Sequence, residues 1–184
     1  MSLKEERMNK IEVSIKGIAP LLQHRFHVEE EDPKWTELTG FKDYSEDVLK
    51  ALYVDGDGVI YQPADHIWGA MCKAASNFKI PGKGKKTYKD LIKSACFVYP
   101  DVIPHNLQTW EVDRRPVVIQ RARIVRERPR FDAWELDFEI HVMDKQLPVD
   151  AVKKILDHAG NYNGIGDFRP RFGRFTVTKY KEIK

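Results

Sequence analysis

The chain has 184 residues, enough for a single domain of packed layers whose core needs no disulfide or metal staple. Its two cysteines, Cys72 and Cys96, form no CxxC pair and no Cys/His cluster, which excludes a zinc ribbon or secreted disulfide scaffold and points to a reducing compartment. Thirty-one Lys and Arg against 28 Asp and Glu leave a formal charge of +3, and no stretch approaches the roughly 18 apolar residues of a membrane helix.

The charged start, Met1 to Arg7, has no apolar run behind it, so a soluble, unexported, cytoplasmic protein is expected, with residues 1–9 flexible. Ile11, Val13 and Ile15 alternate with Glu12, Ser14 and Lys16, the period of two that marks a strand with one buried face, and Gly17 to Pro20 end it. His24, Arg25 and His27 follow. From Val28 to Asp57 ten acids stand against three lysines, a net of −7. Residues 28–52 therefore read as an irregular acidic excursion, with a short helix near Ser45 to Leu52. Asp55-Gly-Asp-Gly58 is a hairpin turn between Tyr53–Val54 and Val59–Tyr61. It is not a Ca²⁺ loop, because Val59 and Ile60 occupy the places of the fixed glycine and further oxygen ligands.

Between Pro63 and Phe78, residues Ile67, Met71, Ala74, Ala75 and Phe78 fall on one helical face, and Pro81 and Gly82 are expected to stop the helix. Pro81-Gly-Lys-Gly-Lys-Lys86 reads as a mobile cationic loop within a segment, Lys79 to Lys93, of net charge +5. A second helix is predicted over Tyr88 to Ala95. Val117 to Arg128 is β-like, and Pro129 to Ala133 is expected to turn it onto the clearest strand, Trp134 to Val142. In that pairing Ala122 and Ile124 face Ile140 and Phe138, and Arg123 falls opposite Glu139. Pro148 opens an amphipathic helix through Val149, Val152, Ile155, Leu156 and Ala159, with Gly160 at its stop, and Phe175 begins a last strand. The fold class is α+β: an antiparallel sheet with helices packed on one face, in one domain over residues 1–184.

Chemistry concentrates in Gly164-Ile-Gly-Asp-Phe-Arg-Pro-Arg-Phe-Gly-Arg-Phe175. Gly164, Gly166 and Gly173 permit positive φ and close approach, Arg169, Arg171 and Arg174 supply planar forks for phosphate, and Phe168 and Phe172 suit base stacking. The segment follows a helix and precedes a strand, so it is not a dinucleotide fingerprint, and it lacks the Lys-Ser/Thr of a P-loop. A structural turn uses the same glycines. Lys83, Lys85, Lys86 and Arg25 extend the basic set, whereas the arginines from Arg121 to Arg130 fit cross-strand pairing with acids. His24 is a candidate general base for ribose-phosphate chemistry. No HExxH or third spaced ligand supports a metal, and no cofactor motif is present.

Two segments carry a resemblance. Gly17-Ile-Ala-Pro-Leu-Leu-Gln-His-Arg-Phe26 and the Gly164 to Phe175 segment resemble a family of uncharacterised phage and prophage proteins with G-x-x-P-L-L-x-H and G-x-G-D-x-R-P-x-x-G-R-F motifs, which implies a host cytoplasm as the location. The β-α-glycine loop-β ending is also similar to the RAMP superfamily of CRISPR-associated RNA-binding proteins. Gly164-Ile-Gly166 fits the first half of that family's G-h-G…G-h-G loop, and Phe172-Gly173-Arg174 keeps one glycine of the second. This likeness implies a ferredoxin-like (RRM/RAMP-like) fold and single-stranded RNA or DNA as partner. Three functions remain open: a non-catalytic binder, a metal-independent endoribonuclease using His24, and a phage structural or assembly protein whose oppositely charged segments pair in a homo-oligomer.

Overall fold

The computed structural model describes residues 9–26, 45–119 and 122–183. Its elements are β1 (Asn9–Gly17), β2 (Leu21–Leu22), α1 (Ser45–Lys50), β3 (Tyr61–Pro63), α2 (Ala64–Ala75), α3 (Lys89–Ala95) and β4 (Cys96–Tyr99). There follow β5 (Val102–Pro104), β6 (Glu111–Ile119), β7 (Ala122–Phe131), β8 (Glu135–Val142), α4 (Val149–His158), a π-turn (Ala159–Asn163) and β9 (Phe175–Ile183). The expected flexible start, up to residue 8, and the acidic run from 27 to 44 lie outside the described residues.

The alternation at β1 and β8 becomes the floor of the core. Ile11, Val13 and Ile15 are fully buried, and Leu136, Phe138, Ile140 and Val142 continue the same face on β8. β1 pairs antiparallel with β8 on one side and β9 on the other, and β4 lies outside β8, giving the order β4, β8, β1, β9. Ile67, Met71 and Ala74 of α2 and Val152, Ile155 and Leu156 of α4 join these strands in one hydrophobic cluster. Each large aliphatic side chain so buried contributes about 1.5–3 kcal/mol. The opposite sheet face is charged, with Lys16 paired to Glu135 at 2.8 Å and Lys179 to Glu12 at 2.7 Å. Stripped of its insertions, the chain runs strand, helix, strand, strand, helix, strand, and the architecture is α+β with antiparallel sheets.

Three local expectations are corrected. β7 does not fold back on β8; it pairs with β6, placing Val117 opposite Ile124 and Arg123 opposite Val118, while Glu139 lies opposite Glu12 and Tyr99. The β-rich run from Val112 to Ile119 offers β7 a nearer partner, and the buried aliphatics of β8 are matched by those of β1. Next, α2 ends at Ala75, well before Pro81, and Pro81 to Lys86 is not a loose loop. Lys79 bridges Thr87, and Ile80 N–H donates to Lys86 O at 2.9 Å, closing a lysine hairpin with Gly82 and Gly84 at positive φ. Last, Gly160 does not stop α4; the chain continues through the π-turn to Gly164, where φ is +68°. Gly160 serves close packing instead, since a Cβ there would lie 2.3 Å from Phe175 O.

Both cysteines are free and buried, and burial pushes the Cys96 thiol up to about 12. No helix among the described residues is long and apolar enough to cross a membrane.

Candidate nucleic-acid interface

The two motif segments, some 140 residues apart in the chain, meet along one backbone seam. Asp167 N–H donates to Leu22 O at 2.8 Å, Gly173 N–H to Pro20 O at 2.7 Å, and Ile18 N–H to Arg174 O at 2.8 Å. Within the loop, Ile165 N–H donates to Gly173 O at 2.9 Å. The glycines answer to this crowding: a Cβ would lie 1.8 Å from Ile165 O at Gly173, and 2.5 Å from Leu22 O at Gly166. All three loop glycines have positive φ, 68° at Gly164, 75° at Gly166 and 71° at Gly173. On its other side the Pro20 segment is held by β7, through the β2 pairing and a Gln23 N–H bond to Pro129 O of 3.0 Å.

Beyond the seam the loop closes a turn, with Phe172 N–H donating to Phe168 O at 3.3 Å and Arg169, Pro170 and Arg171 at its exposed tip. Phe168 has φ +57°, a left-handed conformation that costs a non-glycine residue about 1–2 kcal/mol. Asp167 holds it there, its Oδ1 accepting from Phe168 N–H at 2.8 Å while Oδ2 accepts from Arg128 Nε at 2.5 Å. Phe172 is 5% exposed and covered by the Arg115 guanidinium 4.5 Å above its ring, whereas Phe168 is 40% exposed.

The arginines divide into two groups. Arg114 pairs with Glu127, Arg115 with Asp113 at 2.6 Å, Arg128 with Asp167 and Arg130 with Asp132 at 2.6 Å. Arg169, Arg171 and Arg174 are exposed and pair with no carboxylate among the described residues, and the same holds for Lys83, Lys85 and Lys86. Arg121 lies outside the described residues.

His24 leaves the seam beside β7, where its Nε2 accepts from Arg126 Nη1 at 2.9 Å. The next residue, Arg25, is exposed and joined through its N–H to Ala51 O at 2.8 Å. Sequence reasoning missed the floor of this region. Gln23 is fully buried: its Nε2 donates to Tyr61 O at 2.8 Å, and its Oε1 accepts from Tyr53 N–H at 2.9 Å. Gln62, also buried, contacts His66 Nδ1 at the start of α2. Burial lowers the His66 pKa, and the Arg169 charge lowers it further; burial raises the Tyr53 pKa, against a smaller lowering by Arg25. Tyr53 and His66 meet edge-on, their ring centroids 5.4 Å apart. The sequence carried no signal for them beyond their being polar neighbours of core positions. Among the described residues no cluster of His, Cys, Asp or Glu could hold a metal.

The same floor contains His105, stacked on Phe131 at 4.6 Å, its Nδ1 buried with no hydrogen-bond partner. Burial pushes its pKa from 6.5 to about 4. Because the folded state binds its proton less well than the unfolded chain, this contribution to stability is complete above pH 6.5 and is lost as pH falls toward 4. The expected loss is on the order of 3 kcal/mol. Denaturant titrations from pH 7 to 4 should follow that slope, and His105→Gln should flatten it. An equally steep slope in the variant would assign it elsewhere.

Fold and site together define an α+β protein with an arginine turn braced by a glycine seam. Neither a protein family nor a curated protein matches the chain. Among solved structures it is similar to a chain in the cryo-EM structure of the Type III-B Cmr-beta bound to cognate target RNA, at 14% identity and a TM-score of 0.49. The match covers 99% of this chain and 63% of that one, so this chain spans less than two thirds of its length.

Proposed function

We propose that this chain binds single-stranded nucleic acid without cleaving it, the phosphates resting on Arg169, Arg171 and Arg174 and on the lysine hairpin. The observation that carries this reading is the division of the arginines. Arg114, Arg115, Arg128 and Arg130 of the β6/β7 hairpin are held by acids of the fold and Arg126 by His24, while the arginines of the loop are set on a glycine-packed backbone with no carboxylate partner among the described residues. A guanidinium held in place but unpaired is suited to a phosphate oxygen. The exposed Phe168 ring beside it favours unpaired bases, which can stack, over a duplex. The strand, helix, strand, strand, helix, strand order with β1 and β8 central supports a ferredoxin-like arrangement, and the glycine loop between α4 and β9 supports a RAMP-like one.

Anisotropy of labelled single-stranded RNA and DNA of mixed sequence, from low to physiological salt, tests the proposal, with the strands recovered on a denaturing gel. Binding should weaken as salt rises and the strands should stay intact. Arg169→Ala with Arg171→Ala should lower the log–log salt slope by about 1.4, at about 0.7 per phosphate contact on a single strand. An unchanged slope, or no binding by the parent, would sink the reading. RNA shortened in EDTA, only where a 2′-hydroxyl is present, would replace it with an endoribonuclease in which His24 acts on that hydroxyl.

A further inference from the structure

A ring cluster that neither motif contains joins the segment entering the lysine hairpin to the segment entering the arginine loop. Phe78 leads into the hairpin at Lys79, and Tyr88 N–H donates back to Phe78 O at 3.0 Å. Tyr162 sits in the π-turn, two residues before Gly164 opens the loop. Between them stands His158, its ring 5.4 Å from Phe78 edge-on and 4.6 Å from Tyr162.

This cluster is anchored from below and open above. Asn77 Nδ2 lies within hydrogen-bond distance of His158 Nε2, at 3.1 Å, which sets the plane of the imidazole. The π-turn is tied down by Gly164 N–H to Ala159 O at 2.8 Å, by Gly160 pressed on Phe175, and by Asn163 Nδ2 donating to Ala70 O at 3.1 Å. Yet Tyr162 itself is 65% exposed, so its ring adds little to the core. A ring backed by a second, immobilised ring and exposed to solvent has the form of a stacking platform. Its setting selects the occupant. Phe78 runs straight into the hairpin that carries Lys79, Lys83, Lys85 and Lys86, and Tyr162 stands two residues before the loop that carries Arg169, Arg171 and Arg174, so a ligand reaching both is a polyanion with flat apolar groups between its charges.

We propose that Tyr162, backed by His158, Phe78 and Asn77, receives one unpaired base of a strand that runs from the lysine hairpin to the arginine loop. This rests on the nucleic-acid reading above, and it adds a non-ionic contact at residues outside both basic segments. The test uses the full chain and labelled single-stranded RNA of mixed sequence, measured at several salt concentrations with the parent, Tyr162→Ala and Tyr162→Phe. Tyr162→Ala should weaken binding about tenfold at every salt concentration with the slope unchanged, because a ring and not a charge is removed. Tyr162→Phe, which keeps the ring, should bind like the parent; thermal melts of both variants check that they remain folded. A strand with one 2-aminopurine should be quenched on the parent and on Tyr162→Phe, and less so on Tyr162→Ala. If the parent binds and Tyr162→Ala binds equally well, or loses affinity through a lower salt slope, the platform is refuted while the phosphate-binding reading stands. A parent that binds no RNA overturns both.

Discussion

Gly173→Ala is expected to lower the unfolding free energy by about 4 kcal/mol, and of the described glycines it is the one whose added Cβ would meet the closest atom. Two strains add. The residue has φ +71°, a conformation that costs an alanine about 1–2 kcal/mol. The new Cβ would also lie 1.8 Å from Ile165 O, a backbone atom that cannot swing aside, where overpacking costs about 1–3 kcal/mol. Relief requires opening the loop, which releases the bonds of Ile165 N–H to Gly173 O and of Gly173 N–H to Pro20 O. For a chain of this length, at about 2–4 °C per kcal/mol, the melting temperature should fall by about 10 °C. Arg169→Ala, at the exposed tip of the same loop, should stay within about 0.5 kcal/mol of the parent. A Gly173→Ala melt equal to the parent's would mean that the seam is not the loop's support.

The second large effect is expected at Asp167. Arg128 is the buried member of its ion pair, its side chain 5% exposed against 34% for Asp167. Asp167→Asn keeps an oxygen for Phe168 N–H but turns an amide N–H toward a guanidinium that water cannot reach, and Arg128 Nη1 is already buried without a hydrogen-bond partner. Removing one partner of a buried pair costs about 3–5 kcal/mol; the partial exposure of Asp167 puts the expectation at about 3 kcal/mol. Arg128→Met should cost less, since the apolar chain fills the space beside Phe168 and the freed carboxylate can be hydrated. The double variant should be more stable than Asp167→Asn alone, which denaturant unfolding of the three proteins would measure. Simple addition of the two losses would show that the pair is not coupled.

The exposed aromatics Phe97 and Tyr99 on β4, the latter stacked on His141 at 5.6 Å, line a groove of 410 Å³ with Trp68 and Lys93. The alternation of Trp134 to Val142 places Glu135, Asp137, Glu139 and His141 on that sheet face. The aromatics come from β4, a strand that the sequence hid at the end of α3, where four residues alternating between buried and exposed are no stronger than chance alternation.

β1, β8 and the apolar faces of α2 and α4 were legible in the residues, because burial of one face imposes a period of two or of 3.6 on neighbouring positions, and that imprint is local. The sequence also marked both motif segments and the excess of glycine and arginine in the second. The pairing of β7 with β6, the joining of the two motifs in one seam and the division of the arginines between acids and solvent emerge only in the folded chain. Arg128 and Asp167 illustrate the reason: they are 39 residues apart, and no spacing rule links a guanidinium to a carboxylate on another element. Gly166 carries the same lesson, since its need for positive φ is local, whereas the Leu22 O that would collide with a Cβ there is supplied by the other motif.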